Sequence, residues 1–263
     1  MSGSCFLCGS RAESQRVYRM KKAVAFLLIL SFCFSFVCCS EEEEKDDRIE
    51  DILFLGDDLM ETSKVYEYYE ELCRLNHNEV NIHHMTIEDA RMYTYADMCE
   101  EDKEFRALVK NADVILFEEG SAETVTTVES VTKILSYADD PLVICISYYG
   151  YPRWMHRNIF LNSHPDFRYA DSNTVIGSII ALDDAPLGFE HLYHEDYIHP
   201  NELNGFIVSL ICYSKTFDKD PCEIAWRGIE NREELLVPSL CSDKDELYDL
   251  LLKLQELTDD YIN

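Results

Sequence analysis

DILFLGDDLM, residues 51–60, is the stretch from which the fold can be predicted. Its continuous apolar run at 52–55 is typical of a strand that is covered on both faces. Gly56 then predicts a tight turn, and two carboxylates, Asp57 and Asp58, follow where a helix is expected to begin. Such aspartates are either helix caps or members of a site, because ligands of open α/β sheets bind beyond the carboxyl ends of the strands.

Strand and helix patterns alternate along the rest of the chain. After the strand at 51–55, apolar runs and alternation predict further strands at 79–85, 113–117, 142–147 and 175–182. Apolar residues at helical spacing predict helices over 62–75, 103–110, 122–137, 201–213 and 243–257, and residues 148–173 are expected to be a long loop with a helical turn. Alternating strands and helices predict a parallel sheet between two layers of helices.

The beginning of the chain has a different character from the rest. Residues 1–19 show no apolar periodicity, and we interpret them as a leader or an over-extended start. Residues 20–39 place Lys21 and Lys22 before an apolar run at 23–37, which has the length of a signal peptide and is short for a membrane-spanning helix. This segment predicts export from the cytoplasm.

The apolar run ends in two cysteines and is followed by acidic residues. Cys38 and Cys39 precede SEEEEKDD, and residues 40–50 are interpreted as a solvated, self-repelling tether. This arrangement resembles a bacterial lipoprotein signal, with Cys39 as the lipidated position, and predicts an extracytoplasmic protein that a lipid holds at the membrane of the cell envelope. A cleaved secretion signal and an uncleaved anchor are the alternatives. The folded domain is then expected at 51–263.

The charge of the chain limits its partners. Lys and Arg number 23 against 51 Asp and Glu, which gives a net charge of −28 at pH 7. Phosphates would be repelled, so nucleic acid is excluded as a partner, and broad adhesion to an anionic membrane surface is unfavourable.

A second motif lies late in the chain, in YHEDYIHPNELNG at 193–205. Asp196 and His199 are three residues apart just before a predicted helix, and Pro200 suits a helix start. This spacing allows a carboxylate to accept a hydrogen bond from one imidazole nitrogen while the other nitrogen faces a cleft. Asp196 and His199 are therefore candidate acid–base residues.

These two motifs together resemble the SGNH/GDSL hydrolase family. LFLGDD at 53–58 is similar to its first strand ending in Gly-Asp, and DYIHPNELNG at 196–205 is similar to its late Asp-x-x-His before a helix. The likeness runs from about residue 51 to residue 213 and is weak in the middle. It implies a three-layer α/β/α fold with a mostly parallel, flavodoxin-like sheet, hydrolysis of acyl esters of lipids or carbohydrates, and no cofactor.

The resemblance assigns catalytic positions to Asp58, Asp196 and His199. Asp196 and His199 match the family's acid and base, but Asp58 stands where the family has its nucleophilic serine. The family's two oxyanion donors are also replaced. Glu88-Asp89-Ala90-Arg91 follows the second strand where a glycine is expected, and Glu118-Glu119-Gly120-Ser121 follows the third strand where an asparagine is expected.

These departures leave three interpretations of the site. In the first, ester hydrolysis is weak or lost, Asp57 and Asp58 act mainly as helix caps, and the fold binds a carbohydrate or an acylated envelope ligand. In the second, an active esterase uses Ser63, Ser121 or a carboxylate-activated water. In the third, the residues form a cation site, for which the hard carboxylate oxygens would suit calcium or magnesium, and its members are Asp57, Asp58, Glu118, Asp196 and His199.

Other residues at the expected ligand edge are candidates for binding. They follow the first, third and fourth strands and comprise Asp57, Glu118, Ser121 and Tyr148. Tyr148 begins an aromatic cluster with Tyr149, Tyr151 and Trp154 beside Arg153, which is either a packed lid or a platform for stacking sugars. His83 and His84 are expected to point to opposite faces of one strand, and Cys222 with Cys241 is the cysteine pair to test for a disulfide.

Overall fold

The computed structural model divides the chain into two compact units, Met1–Arg48 and Ile49–Asn263, and the second contains the fold. The structure describes residues 48–118, 124–148, 162–230, 235, 237, 239–241 and 243–262. Cys39, the segments at 1–19 and 20–39 and most of the tether at 40–50 lie outside these residues, so lipid attachment and export stay predictions. No helix of the described part is both long enough and apolar enough to cross a membrane.

Five parallel strands form one sheet in the order β2-β1-β3-β4-β5. The strands are β1 (Asp51–Gly56), β2 (Asn81–Thr86), β3 (Val114–Glu118), β4 (Leu142–Ser147) and β5 (Arg168–Asp171). This order, with β1 inside the sheet and the chain winding outward on both sides, is that of the flavodoxin-like sheets. The predicted α/β/α fold with a parallel sheet is confirmed.

Helices cover both faces of the sheet. They are α1 (Asp58–Ser63), α2 (Val65–Leu75), α3 (Met92–Glu101), α4 (Lys103–Asn111), α5 (Thr124–Leu135), α6 (Ser172–Ile180), α7 (Glu202–Phe217) and α8 (Lys244–Tyr261). Side chains of α1, α2, α6, α7 and α8 form one buried apolar cluster, and those of α3, α4 and α5 form the other.

The two clusters explain the unbroken apolar run of β1. Ile52 and Phe54 belong to the first cluster, whereas Leu53 and Leu55 belong to the second. Successive side chains of a strand point to opposite faces, so a strand between two helix layers needs apolar residues at every position. The same alternation separates His83, which contacts Asp51, from His84, which stacks on Tyr66 at 4.0 Å between ring centroids. The prediction for this histidine pair is confirmed.

The predicted strand at 175–182 is wrong. Residues Ser172–Ile180 form helix α6, and the fifth strand lies before it at Arg168–Asp171, inside the segment predicted to be a long loop. Asp171 starts the helix, because its Oδ1 accepts from the Thr174 backbone N–H at 3.0 Å. A short apolar run does not by itself distinguish a buried strand from a buried helix.

Two helices also differ from the expectation. The helix predicted at 62–75 is two helices, α1 and α2, which meet at Lys64 in a left-handed conformation with φ 53°. Helix α3 was not predicted, although Met92, Tyr95, Ala96 and Cys99 face the core at helical spacing. Cys222 and Cys241 are both free, the first exposed and the second buried, so this pair is not bridged.

Candidate active site

The turn between β1 and α1 places two aspartates in different surroundings. Asp57 is the N-cap of α1, and its Oδ1 accepts from the Leu59 backbone N–H at 2.9 Å. Its side chain is buried beneath the turn, with 8% of the residue exposed. Asp58 is the first residue of the helix, and its side chain is 31% exposed. Capping therefore involves Asp57, which leaves the Asp58 carboxylate for other contacts.

The loop at 193–200 is closed by backbone hydrogen bonds. Tyr193 and Pro200 form an isolated antiparallel bridge, and the His194 N–H donates to the His199 carbonyl at 3.0 Å. Asp196 fixes the turn from inside, since its Oδ1 accepts from the backbone N–H groups of Ile198 at 2.9 Å and His199 at 3.0 Å. The loop thus holds the Asp196 carboxylate and the His199 ring in one orientation.

Asp58, His199 and Asp196 lie together as a hydrogen-bonded triad. The Nε2 atom of His199 is 2.7 Å from Oδ2 of Asp58, and its Nδ1 atom is 2.5 Å from Oδ2 of Asp196. Each imidazole nitrogen therefore meets a carboxylate, an arrangement in which both nitrogens are donors and the ring is an imidazolium. The three side chains are partly open to solvent, so the triad is reachable from outside.

The charges of the triad shift its pKa values in opposite directions. Hydrogen bonds to Asp196 and then to Asp58 raise the pKa of His199, and the bond to His199 is the main cause that lowers the pKa of Asp196. Because the pKa of His199 is raised, this residue adds stability that is present below its ordinary pKa of about 6.5. That stability is lost as the pH rises through the raised pKa. Because the pKa of Asp196 is lowered, this residue adds stability above its ordinary pKa of about 3.9. That stability is lost as the pH falls through the lowered pKa.

A buried polar layer lies beneath the triad. Ser63 is fully buried, and its Oγ is 2.9 Å from the hydroxyl of Tyr148, which is 2% exposed. Glu118, at the end of β3, is 3% exposed, and its Oε2 accepts from the Asp57 backbone N–H at 3.4 Å. Burial, and next the charge of Glu118, raises the pKa of Tyr148. Ser63 therefore offers no accessible nucleophile, and Glu118 and Tyr148 support the turn from below.

The structure thus brings together some of the predicted site residues and separates others. Asp58, Asp196 and His199 meet at one place, and Asp57, Glu118 and Tyr148 lie buried under it. Within the described ranges, no group of three His, Cys, Asp or Glu side chains is arranged to hold a metal ion. Ser121 and the cluster of Tyr149, Tyr151, Arg153 and Trp154 lie outside the described residues.

From the sequence alone, no structural role was assigned to three positions that the structure constrains. Asn201 caps α7 through Leu203 N–H at 3.1 Å and donates from Nδ2 to the His191 carbonyl at 2.9 Å, which ties the His199 loop to the helix. Asp89, after β2, has φ 56°, a left-handed conformation that glycine favours. Gly205 packs against the Ser63 backbone. The Asn and Gly of the HPNELNG motif were the available signal for two of them.

Comparisons with known proteins support the fold. The chain matches no family model and no curated protein. A DUF4886 family protein from Bacteroides uniformis is similar in structure with a TM-score of 0.55 and 11% identity, over 80% of this chain and 93% of that one. At this identity the likeness shows the shared fold alone, and it covers most of the described domain.

Two further solved structures are similar over a smaller share of the chain. A putative GDSL-like lipase from Parabacteroides merdae has a TM-score of 0.48 and 12% identity, over 65% of this chain and 96% of that one. The acetyl xylan esterase AlAXEase has a TM-score of 0.49 and 11% identity, over 64% of this chain and 100% of that one. The comparisons thus show a fold shared with the DUF4886 family protein, and they assign no activity to this chain.

Proposed function

We propose that this chain is an SGNH/GDSL-type hydrolase-like protein in which Asp58 replaces the nucleophilic serine, and that its site binds a ligand with little or no ester hydrolysis. The observation that carries the proposal is the 2.7 Å contact between Asp58 Oδ2 and His199 Nε2. In the family the histidine would face the serine at this point. Here it faces a carboxylate.

A carboxylate at this position removes the first step of ester hydrolysis. The histidine of a triad activates a serine by taking its hydroxyl proton, but ionised Asp58 has no proton to give. The raised pKa of His199 keeps the ring protonated to higher pH, and a protonated ring is not a base. Asp58 also repels the negative charge that develops on a carbonyl oxygen under attack.

The loops that hold the family's oxyanion donors carry acidic side chains here. Asp89 is exposed in the loop after β2, and Glu118 is buried at the end of β3. Loss of one oxyanion donor typically costs about 3–4 kcal/mol of transition-state stabilisation. The replaced oxyanion donors and the lack of a hydroxyl proton at residue 58 together favour ligand binding over ester hydrolysis.

We infer the setting of the function from the sequence. The segment at 20–39 supports export, and Cys39 supports attachment to a membrane by a lipid. We propose an extracytoplasmic role at the cell envelope, with a carbohydrate or an acylated envelope molecule as the ligand. The net charge of −28 supports a partner other than nucleic acid.

Hydrolytic competence can be tested with the purified full-length protein. We expect no turnover of p-nitrophenyl acetate above the rate in buffer and no covalent labelling by a fluorophosphonate probe, because Ser63 is buried and Asp58 is a poor target for this reagent. Peptide mapping of any labelled serine serves as the control for background reaction. Stoichiometric labelling of one serine, such as Ser121, would contradict the proposed binding function. It would favour the alternative, an active esterase with a rearranged nucleophile.

A further inference from the structure

The loop that carries Asp196 and His199 also exposes two large apolar side chains. Tyr197 is 61% exposed and Ile198 is 54% exposed. Single exposed apolar residues are common on protein surfaces and need no explanation. These two, however, are adjacent in the chain and lie between two members of the triad, Asp196 and His199.

The Tyr197 ring is the outer end of an aromatic stack. Phe189 stacks on Tyr193 with 4.5 Å between ring centroids. It also lies nearly parallel to Tyr197, with 6.5 Å between ring centroids and 13° between the ring planes. Tyr193 is buried, so the stack begins in the core and ends at the surface, on the loop that carries Asp196 and His199. The exposed part of the Tyr197 ring is a flat apolar face held by the loop.

Among the described residues, the charge near this ring in the chain is negative. Asp58 and Asp196 share a single imidazolium, and Glu190 and Glu195, which flank the stack in sequence, are exposed. The Nζ atom of Lys64, the residue after α1, lies 3.7 Å from Oε1 of Glu202, and this carboxylate offsets the positive charge of the lysine. An anionic ligand would be repelled here, whereas a cationic ligand would be attracted.

The triad also has a free acceptor. The Asp58 contact with His199 uses Oδ2, and its Oδ1 accepts no hydrogen bond from any residue in the described part of the chain. Both carboxylate oxygens of Asp196, by contrast, are occupied. A ligand with an N–H donor would therefore find its acceptor at Asp58 rather than at Asp196.

We propose that this site binds an amino sugar with a free, protonated amine. The sugar's apolar C–H face would cover the Tyr197 ring, and its ammonium group would donate to Asp58 Oδ1 within the negative field of the site. A positive charge near a tyrosine face adds a cation–π attraction. The inference rests on the proposed function, because it names the ligand of the same site. N-acetylation of the amine removes the charge, so it weakens binding.

The test compares four-unit oligosaccharides by isothermal titration calorimetry with the full-length protein, below the pKa of the sugar amine. Tetraglucosamine is expected to bind at least about tenfold more tightly than its fully N-acetylated counterpart. Tetralysine, which has four side-chain ammonium groups and no sugar rings, serves as the control for general attraction to an acidic protein and is expected to bind more weakly than tetraglucosamine.

Variants locate the contact. Tyr197→Ala and Asp58→Asn are each expected to weaken tetraglucosamine binding about tenfold or more, whereas Tyr93→Ala, which removes a tyrosine of α3 that is 51% exposed, leaves it unchanged. Equal affinities for tetraglucosamine and its acetylated form, equal affinity for tetralysine, or no effect of Tyr197→Ala would overturn the amino-sugar inference. None of these outcomes bears on ester hydrolysis, which the fluorophosphonate and p-nitrophenyl acetate assays report separately.

Discussion

Gly205→Ala is expected to destabilise the fold by about 3 kcal/mol or more, the upper range of overpacking effects. A Cβ at this position would lie 1.8 Å from the backbone oxygen of Ser63 and 2.7 Å from its carbonyl carbon. The clashing atoms belong to the backbone rather than to the end of a flexible side chain. The clash can therefore be relieved only if α1 and α7 move apart. The gain of about 1 kcal/mol that alanine has over glycine in a helix is too small to compensate.

Chemical denaturation followed by circular dichroism measures this loss directly. Gly228→Ala is a control with a smaller expected loss, because its Cβ would lie 2.6 Å from Cδ2 of Leu75, the end of a flexible side chain that can move. The close approach at Gly205 also brings the start of α7, which follows His199, to the helix that carries Asp58. A Gly205→Ala protein as stable as the wild type would show that the two helices do not touch in this way.

Asp58→Ser is expected to give the largest change in activity. The substitution restores a hydroxyl next to His199, with Asp196 still on the other ring nitrogen, so the ring can act as a base. A positioned base typically contributes about 10²–10⁴-fold to rate. We therefore expect p-nitrophenyl acetate hydrolysis at least about 100-fold above wild type, still well below that of an efficient esterase because the oxyanion donors remain absent.

The double variant with His199→Ala is the control for the restored activity. It retains the new serine and loses the base, so hydrolysis and fluorophosphonate labelling of residue 58 should return to background. If Asp58→Ser stays folded and neither hydrolyses the ester nor is labelled, the prediction that His199 can activate a serine at residue 58 is wrong. Circular dichroism of both variants establishes that the fold is retained.

Much of the sheet could be predicted because its strands are buried on both faces. The runs in β1, β3 and β4 are continuous and apolar, which is typical of strands covered by helices on both faces. The short run of α6 was predicted as a strand, since its helical spacing of Val175, Ile176 and Ile179 is obscured by intervening apolar residues. The fifth strand, only four residues long, gave no pattern to detect.

The composition of the triad could be predicted from two motifs, but its surroundings could not. Asp58 and His199 were expected to meet because the two motifs resemble those that carry the nucleophile and the base in the SGNH/GDSL family. Whether a serine such as Ser63 is reachable depends on how α1 packs against α7, and one sequence does not reveal that packing. The exposure of Tyr197 likewise depends on the fold of the loop at 193–200.

The pKa of His199, followed by NMR of its imidazole ring in the wild type and in Asp58→Asn, tests most directly whether Asp58 pairs with this ring. The His199→Gln spectrum assigns the signal among the 8 histidines. We expect a wild-type pKa above the ordinary value of about 6.5, and a lower pKa in Asp58→Asn because one of two carboxylates is lost. A wild-type pKa at or below the ordinary value, or one that Asp58→Asn leaves unchanged, would contradict the pairing.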